Sequence, residues 1–156
     1  MDRVESIQHQ FSTNAGSYRT SKYHSKAPDL DALREAAQLK GSERVLDLGT
    51  GTGHTALAVA PGAEHVVGID LTTQMLEQAH QLAQERQITN VTFEEGDAQQ
   101  LAYADDSFDV VTCRVCAHHF ADPAAAVREA TRVLRPGGCV LWVDSVAPED
   151  PAQDTF

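Results

Sequence analysis

Hydrophobic and polar positions divide the chain near residue 27. Residues 1–26 are polar and weakly patterned, with Ser6, Ser12, Thr13, Asn14, Gly16, Ser17, Thr20 and Ser21 spread through them. Phe11, Tyr18 and Tyr23 are the large apolar side chains there, beside Val4 and Ile7. That pattern predicts a short helix followed by a mobile arm. From Pro28 onward Leu30, Leu33, Ala37 and Leu39 recur at helical spacing, and Gly41 is placed to end the helix. Strands and helices then alternate. Arg44–Leu48 reads as a short apolar strand, followed by a glycine-rich loop and a helix near His54–Val59. Val66–Ile69 is a second strand, ending at Asp70. Thr72 or Thr73 can cap a long helix on which Met75, Leu76, Ala79, Leu82 and Ala83 form one stripe. Val91–Phe93 and Phe108–Thr112 are a third and a fourth strand. Asp122 and Pro123 open a helix with Val127, Ala130, Val133 and Leu134 on one face. Pro136-Gly137-Gly138 makes a turn, and Cys139–Val143 is a fifth strand.

Strands that alternate with helices imply right-handed βαβ units and a parallel sheet. Runs such as Val66-Val67-Gly68-Ile69 and Asp109-Val110-Val111-Thr112 suit strands covered on both faces. The fold class is therefore α/β in three layers, with an arm over residues 1–26 and one domain over 27–156. At 156 residues, 42% hydrophobic and 22% charged, the chain has the composition of an ordinary globular domain. Charge narrows the partners. Twelve Lys and Arg against 23 Asp and Glu leave a net charge of −11, without the basic footprint that nucleic acid or an anionic membrane surface requires. No run approaches the roughly 18 consecutive apolar residues of a membrane helix, and the start M-D-R-V-E-S-I-Q-H-Q lacks an apolar signal core. Cys113, Cys116 and Cys139 are odd in number and clustered late, so the expected setting is a reducing cytoplasm rather than a disulfide framework.

Chemistry concentrates in V-L-D-L-G-T-G-T-G-H, Val45 to His54. Gly49, Gly51 and Gly53 lie between a strand and a helix, where glycine lets the backbone turn tightly and approach a ligand with helix N–H groups facing it. A G-x-G-x-x-G dinucleotide fingerprint is not matched, because glycine occupies every second position instead. Asp70, at the end of the second strand, can accept both hydroxyls of a ribose. Taken singly, each of these features serves a turn or a helix cap equally well; their combination, with Asp47 ahead of the first glycine, points to a ligand.

D-L-G-T-G-T-G-H resembles the first motif of the class I S-adenosylmethionine-dependent methyltransferases. V-G-I-D-L-T-T-Q-M-L, Val67 to Leu76, is similar to their second, and G-D-A-Q-Q-L, Gly96 to Leu101, to their third. F-D-V-V-T-C-R-V-C-A-H-H-F and R-V-L-R-P-G-G resemble the fourth and fifth. Within that superfamily the chain resembles the small-molecule branch related to ubiquinone and menaquinone biosynthesis. The resemblance implies a Rossmann-like, doubly wound, mainly parallel sheet of order 3-2-1-4-5, here without the usual strands six and seven. It implies S-adenosylmethionine as cofactor, with S-adenosylhomocysteine as product. Gly49, Thr50 and Gly51 would line the methionine part, and Asp47 would act at its ammonium end. Asp70 would hold the ribose, Leu71 and Met75 would flank the adenine, and Asp97 and the Ala98 N–H would meet its amine edge. Arg114 would line the site near the methionine chain, and Tyr18 or Phe11 would close over it as an aromatic lid.

Cys113, Cys116, His118 and His119 fall within seven residues, which suggests zinc. They crowd one strand end, however, where alternating side chains diverge, and zinc sites draw their second pair of ligands from a separate segment; no metal is assigned. His118 and His119 are instead candidate bases for an acidic O–H, N–H or C–H, with packing under the site as the alternative role. Methyl transfer needs little covalent chemistry from the protein, so proximity catalysis is expected. The chain stops after A-P-E-D-P-A-Q-D-T-F, short of the hairpin that the resemblance implies. This leaves three readings: a methyltransferase for a small metabolite, a truncated cofactor-binding module without turnover, and a nicotinamide-dependent enzyme. It also predicts that the open edge of strand five drives self-association into a homodimer.

Overall fold

The computed structural model describes residues 3–21 and 27–145. Residues 22–26, Tyr23 and His24 among them, and the tail from Val146 lie outside the described residues, as do the side chains of Val4 and Ile7. The alternation of patterns is realised as strands β1 (Arg44–Leu48), β2 (His65–Asp70), β3 (Val91–Glu95), β4 (Phe108–Arg114) and β5 (Leu134–Val143). The helices are α1 (Arg3–Thr20), α2 (Pro28–Ala37), α3 (His54–Val59), α4 (Thr73–Glu85) and α5 (Pro123–Val133). The strands form one sheet in the order β3-β2-β1-β4-β5, and every neighbouring pair is parallel.

Alternation along each strand sends side chains into two cores. Val45, Val66 and Val110 pack with α2, α3 and α4 through Leu33, Leu57, Leu76, Ala79 and Leu82. Leu46, Leu48, Val67, Val111 and Cys113 pack with α5 through Ala126, Ala130 and Val133. β1 is flanked on both edges and both faces, so Val45, Leu46 and Leu48 are completely buried. The sheet order reverses at β1, between β2 and β4, and a cleft opens there at the carboxyl ends of the strands.

Several elements depart from the sequence reading. Within the segment expected to hold a short helix and an arm, Arg3–Thr20 form one continuous helix, α1, lying against α4. Polar contacts tie it there, beside the buried Ala15: Gln8 Nε2 donates to the Leu71 carbonyl at 2.9 Å, Ser12 Oγ donates to Gln74 Oε1 at 2.9 Å, and Arg19 pairs with Glu85 and with Gln81 Oε1. An apolar stripe is not what holds it. α2 ends at Gln38, itself left-handed at φ +45°, rather than at Gly41. Val127 is 48% exposed; the inward face of α5 runs through Ala126, Ala130 and Val133. Pro136-Gly137-Gly138 does not separate two elements. β5 continues through it, and the register with β4 jumps from Phe108↔Leu134 to Val110↔Cys139, leaving these residues as an irregularity in the strand.

Candidate functional site

The loop between β1 and α3 is shaped by its glycines. Gly49, Gly51 and Gly53 all have positive φ, at +58°, +54° and +83°, where a side chain would be strained. Space closes the argument at two of them. A Cβ on Gly49 would lie 2.9 Å from Cβ and Sγ of Cys116, and one on Gly53 would lie 2.8 Å from the Phe93 ring. Asp47 secures the loop from below. Its oxygens accept from the Thr50 and Thr112 hydroxyls, each at 2.6 Å, tying the loop to β4. Burial pushes its carboxyl up to about 6, against the pull of the two threonine bonds.

Asp70, the last residue of β2, faces this loop. Oδ2 accepts from Gly51 N at 2.9 Å and Oδ1 from Thr72 N at 2.9 Å, so one carboxylate joins the glycine loop to the start of α4. Burial raises its carboxyl above the ordinary range, partly offset by those N–H groups. Around it lies a cavity enclosing about 1040 Å³ with its mouth included. Gly49, Thr50, Gly51, Asp70, Leu71, Met75, Asp97, Ala98, Arg114 and Tyr18 all line it, as does Phe11. Asp47 does not; it stands behind the loop as a support.

The two histidines separate. His119 lines the cavity, its ring edge-on to Phe11 with centroids 4.9 Å apart. His118 is not part of the lining. Asp144, just after β5, accepts from the His118 backbone N–H at 3.0 Å and holds Nδ1 at 2.7 Å. The Asp144 carboxyl is held low because these bonds and the Ser145 N–H outweigh burial. The His118 and His119 rings lie 3.9 Å apart.

Three participants, Asp29, Gln99 and Cys116, were not anticipated. Asp29, in the first turn of α2, takes Arg114 Nε at 2.6 Å and Nη2 at 3.2 Å, fixing a guanidinium whose side chain is 2% exposed. The Arg114 bond in turn holds the Asp29 carboxyl below its usual range. Gln99 N donates to Asp97 Oδ1 at 2.8 Å, and Gln99 Oε1 accepts from Asp122 N at 2.6 Å. His54, which by its place next to the glycine loop could either face solvent or cover the cofactor, lines the cavity and donates from Nε2 to the Tyr18 carbonyl at 3.2 Å, latching α1 to the glycine loop. Cys116 is also in the lining. The signal for Asp29 was present as an acid in a helix first turn, but nothing local pairs it with a residue 85 positions later.

Known proteins bear on this site. The profile of a family described as methyltransferase domain matches residues 39–154. The uncharacterized methyltransferase YcgJ of Bacillus subtilis is 47% identical over 146 residues, covering 94% of this chain and 58% of that protein. The crystal structure of YcgJ from the same organism matches with a TM-score of 0.75, over 80% of this chain and 53% of that one. The demethylmenaquinone methyltransferase of Deinococcus radiodurans is 38% identical over 154 residues, covering 94% of this chain and 63% of that protein. An S-adenosylmethionine dependent methyltransferase from Mesorhizobium loti, solved as a crystal structure, is 31% identical with a TM-score of 0.63, over 76% of this chain and 52% of that one. The chain thus spans 58% to 63% of the length of these curated relatives. With its sheet order and its glycine loop after β1, the chain belongs to the methyltransferase domain family.

Proposed function

We propose that the chain binds S-adenosylmethionine in this cavity and serves methyl transfer to a small-molecule acceptor. The observation that carries the reading is Asp70. It ends β2 inside the cavity, and each carboxylate oxygen takes one backbone N–H while keeping acceptor capacity for the two hydroxyls of a ribose. The rest of the lining fits the same ligand. Gly49 and Gly51 present bare backbone where a methionyl chain would run, with Thr50 steadied by Asp47 and Arg114 beyond. Leu71 and Met75 would flank the adenine, and Asp97 and the Ala98 N–H would meet its amine edge. Tyr18 and Phe11, carried by α1, would cover the site, and their ring faces suit a cationic sulfonium.

When bound, the cofactor supplies an electrophilic methyl group for in-line displacement. The chain's own contribution is alignment and exclusion of water, for which good orientation corresponds to about 7–11 kcal/mol of barrier. His119, inside the cavity, is the base for an acceptor whose nucleophile carries a proton. His118, oriented by Asp144 and beside it, is the second candidate. The free cysteines fit the cytoplasm, the negative charge fits a partner other than nucleic acid, and the outer edge of β5, which no described strand covers, fits a homodimer. Among the described residues, no helix is long and apolar enough to cross a membrane.

Titration calorimetry with S-adenosylhomocysteine, and NADH as control, tests the reading. Binding of the first alone is expected. Binding of NADH alone would favour a nicotinamide enzyme, and silence with both from a folded sample would overturn the cofactor assignment. Transfer of a labelled methyl group to a panel of hydroxylated and quinol acceptors then separates an enzyme from a binding module without turnover.

A further inference from the structure

Cys113 and Cys116 hold the one close thiol pair among the described residues, with sulfurs 2.9 Å apart. Sequence spacing alone would forbid this. In an extended strand, residues three apart point to opposite faces and stand about 10 Å from one another. Val115 undoes that geometry. Its φ of +53° is an outlier for a β-branched residue, and it turns the chain back at the end of β4 so that Cys116 returns over Cys113. Its backbone N–H is anchored on the Val143 carbonyl at 2.7 Å, which keeps the turn in place.

The pair also has a route to solvent and a consequence for the site. Cys113 is completely buried, whereas Cys116 lines the cavity. The Cys116 thiol donates to the Leu48 carbonyl at 3.2 Å, at the base of the glycine loop. Gly49 rests directly against it, as the 2.9 Å separation of an added Cβ shows. Cys139 packs in the opposite core layer, against the α3 and α4 side of the sheet, out of reach of this exchange.

We infer that Cys113 and Cys116 form a reversible dithiol–disulfide site under the glycine loop, oxidised by a hydroperoxide entering through the cavity and restored by a dithiol. The chemistry balances without a metal. The Cys113 sulfur beside it and burial push the Cys116 thiol up, so it reacts through a minor thiolate: that sulfur attacks the terminal peroxide oxygen, the O–O bond breaks, and the thiol's proton leaves on the departing oxygen, giving a sulfenic acid and an alcohol, or water from hydrogen peroxide. Cys113 sulfur then attacks the Cys116 sulfur, expelling hydroxide, which leaves as water with the Cys113 proton. The peroxide is reduced by two electrons and the two thiols are oxidised by two. Bonding requires the sulfurs to close to about 2.05 Å, a movement of about 0.9 Å. That movement withdraws the Cys116 thiol hydrogen from the Leu48 carbonyl and shifts the floor beneath Gly49, together with the 117–119 turn that carries His119. The oxidised form therefore binds the adenosyl ligand less well, a consequence that rests on the proposed cofactor reading, although the thiol chemistry does not.

The test uses the full chain, treated with hydrogen peroxide and then alkylated. Mass spectrometry is expected to show the loss of two hydrogens, a Cys113–Cys116 linked peptide and an alkylated Cys139, all reversed by dithiothreitol. Calorimetry of the oxidised chain is expected to show S-adenosylhomocysteine bound at least about tenfold more weakly than by the reduced chain. Cys113→Ala, or Cys113→Ser if the alanine variant does not fold, is expected to lose this response to oxidant. Hydrogen exchange across residues 49–53 and 115–120, faster in the oxidised chain, reports the shift without any ligand. Free thiols in a folded, treated sample would overturn the proposal, as would a sulfinic acid on Cys116, dimers through Cys139, or a disulfide with unchanged exchange. A reduced chain that never binds S-adenosylhomocysteine would instead overturn the cofactor reading, and the peptide map and exchange would still decide the disulfide.

Discussion

Between the ordinary carboxyl range and pH 6, the folded chain keeps a proton on Asp47 that the unfolded chain has already released, because burial pushes this carboxyl up to about 6. The associated stability is fully present below the unfolded value near about 4 and is lost as pH rises through 6. Above that, the folded state carries a buried charge that costs about 1–3 kcal/mol, at about 1.4 kcal/mol for each tenfold change in proton affinity. Asp47→Asn keeps partners for both threonine hydroxyls, which can rotate to donate or accept. It is therefore expected to stabilise the fold at pH 8 by that order and to change little at pH 4. Thermal unfolding of both proteins across pH checks this; a difference independent of pH would refute it. Asp70 is raised by burial as Asp47 is, but it faces the cavity, and its two N–H partners leave it acceptor capacity for a ligand. Asp70→Ala is expected to weaken S-adenosylhomocysteine by about 1.5–3 kcal/mol, the range for hydrogen bonds to a charged group. Unchanged affinity in calorimetry would remove the assignment.

At the scale of elements, α1 shows how a polar helix can be a defined part of a site. Arg19 joins it to Glu85 and Gln81 of α4, Gln8 to Leu71, and His54 to Tyr18. Such half-exposed polar pairs contribute little each, about 0.2–1 kcal/mol. Arg19→Ala is therefore expected to speed amide exchange in α1 several-fold while leaving the melting temperature within about 3 °C, and exchange confined to α4 would contradict it. This is also where sequence legibility ends. β1, α3 and the stripe on α4 were readable because burial imposes a period on apolar residues, and the glycine loop because only glycine tolerates its backbone. α1 has no such period, and its partners lie about sixty positions away. The placement of Asp47 behind the loop and of His118 outside the cavity depends on which side of the chain faces the ligand, which a motif does not encode.

For the molecule as a whole, the two sheet edges differ in kind. β3 carries Thr92, Glu94 and Glu95 exposed, charges that discourage pairing with another strand. β5 offers Val140, 36% exposed, beside half-buried Leu141, Trp142 and Val143, and no described strand covers its outer side. Sedimentation of the 156-residue chain is expected to show association that rises with concentration, and Val140→Lys to suppress it; a monomer at all concentrations would refute the homodimer. The strand order has a further consequence, for how the chain comes into being. β1 finds its β4 partner across 65 residues, as the Thr112 bond to Asp47 measures. On a ribosome adding about 5–20 residues per second, β1 waits roughly 3–13 s for that neighbour. Throughout that wait the driest strand of the protein stands at the rim of a half-built sheet, so chaperone demand in the cell should fall on β1 during synthesis and end as β4 emerges.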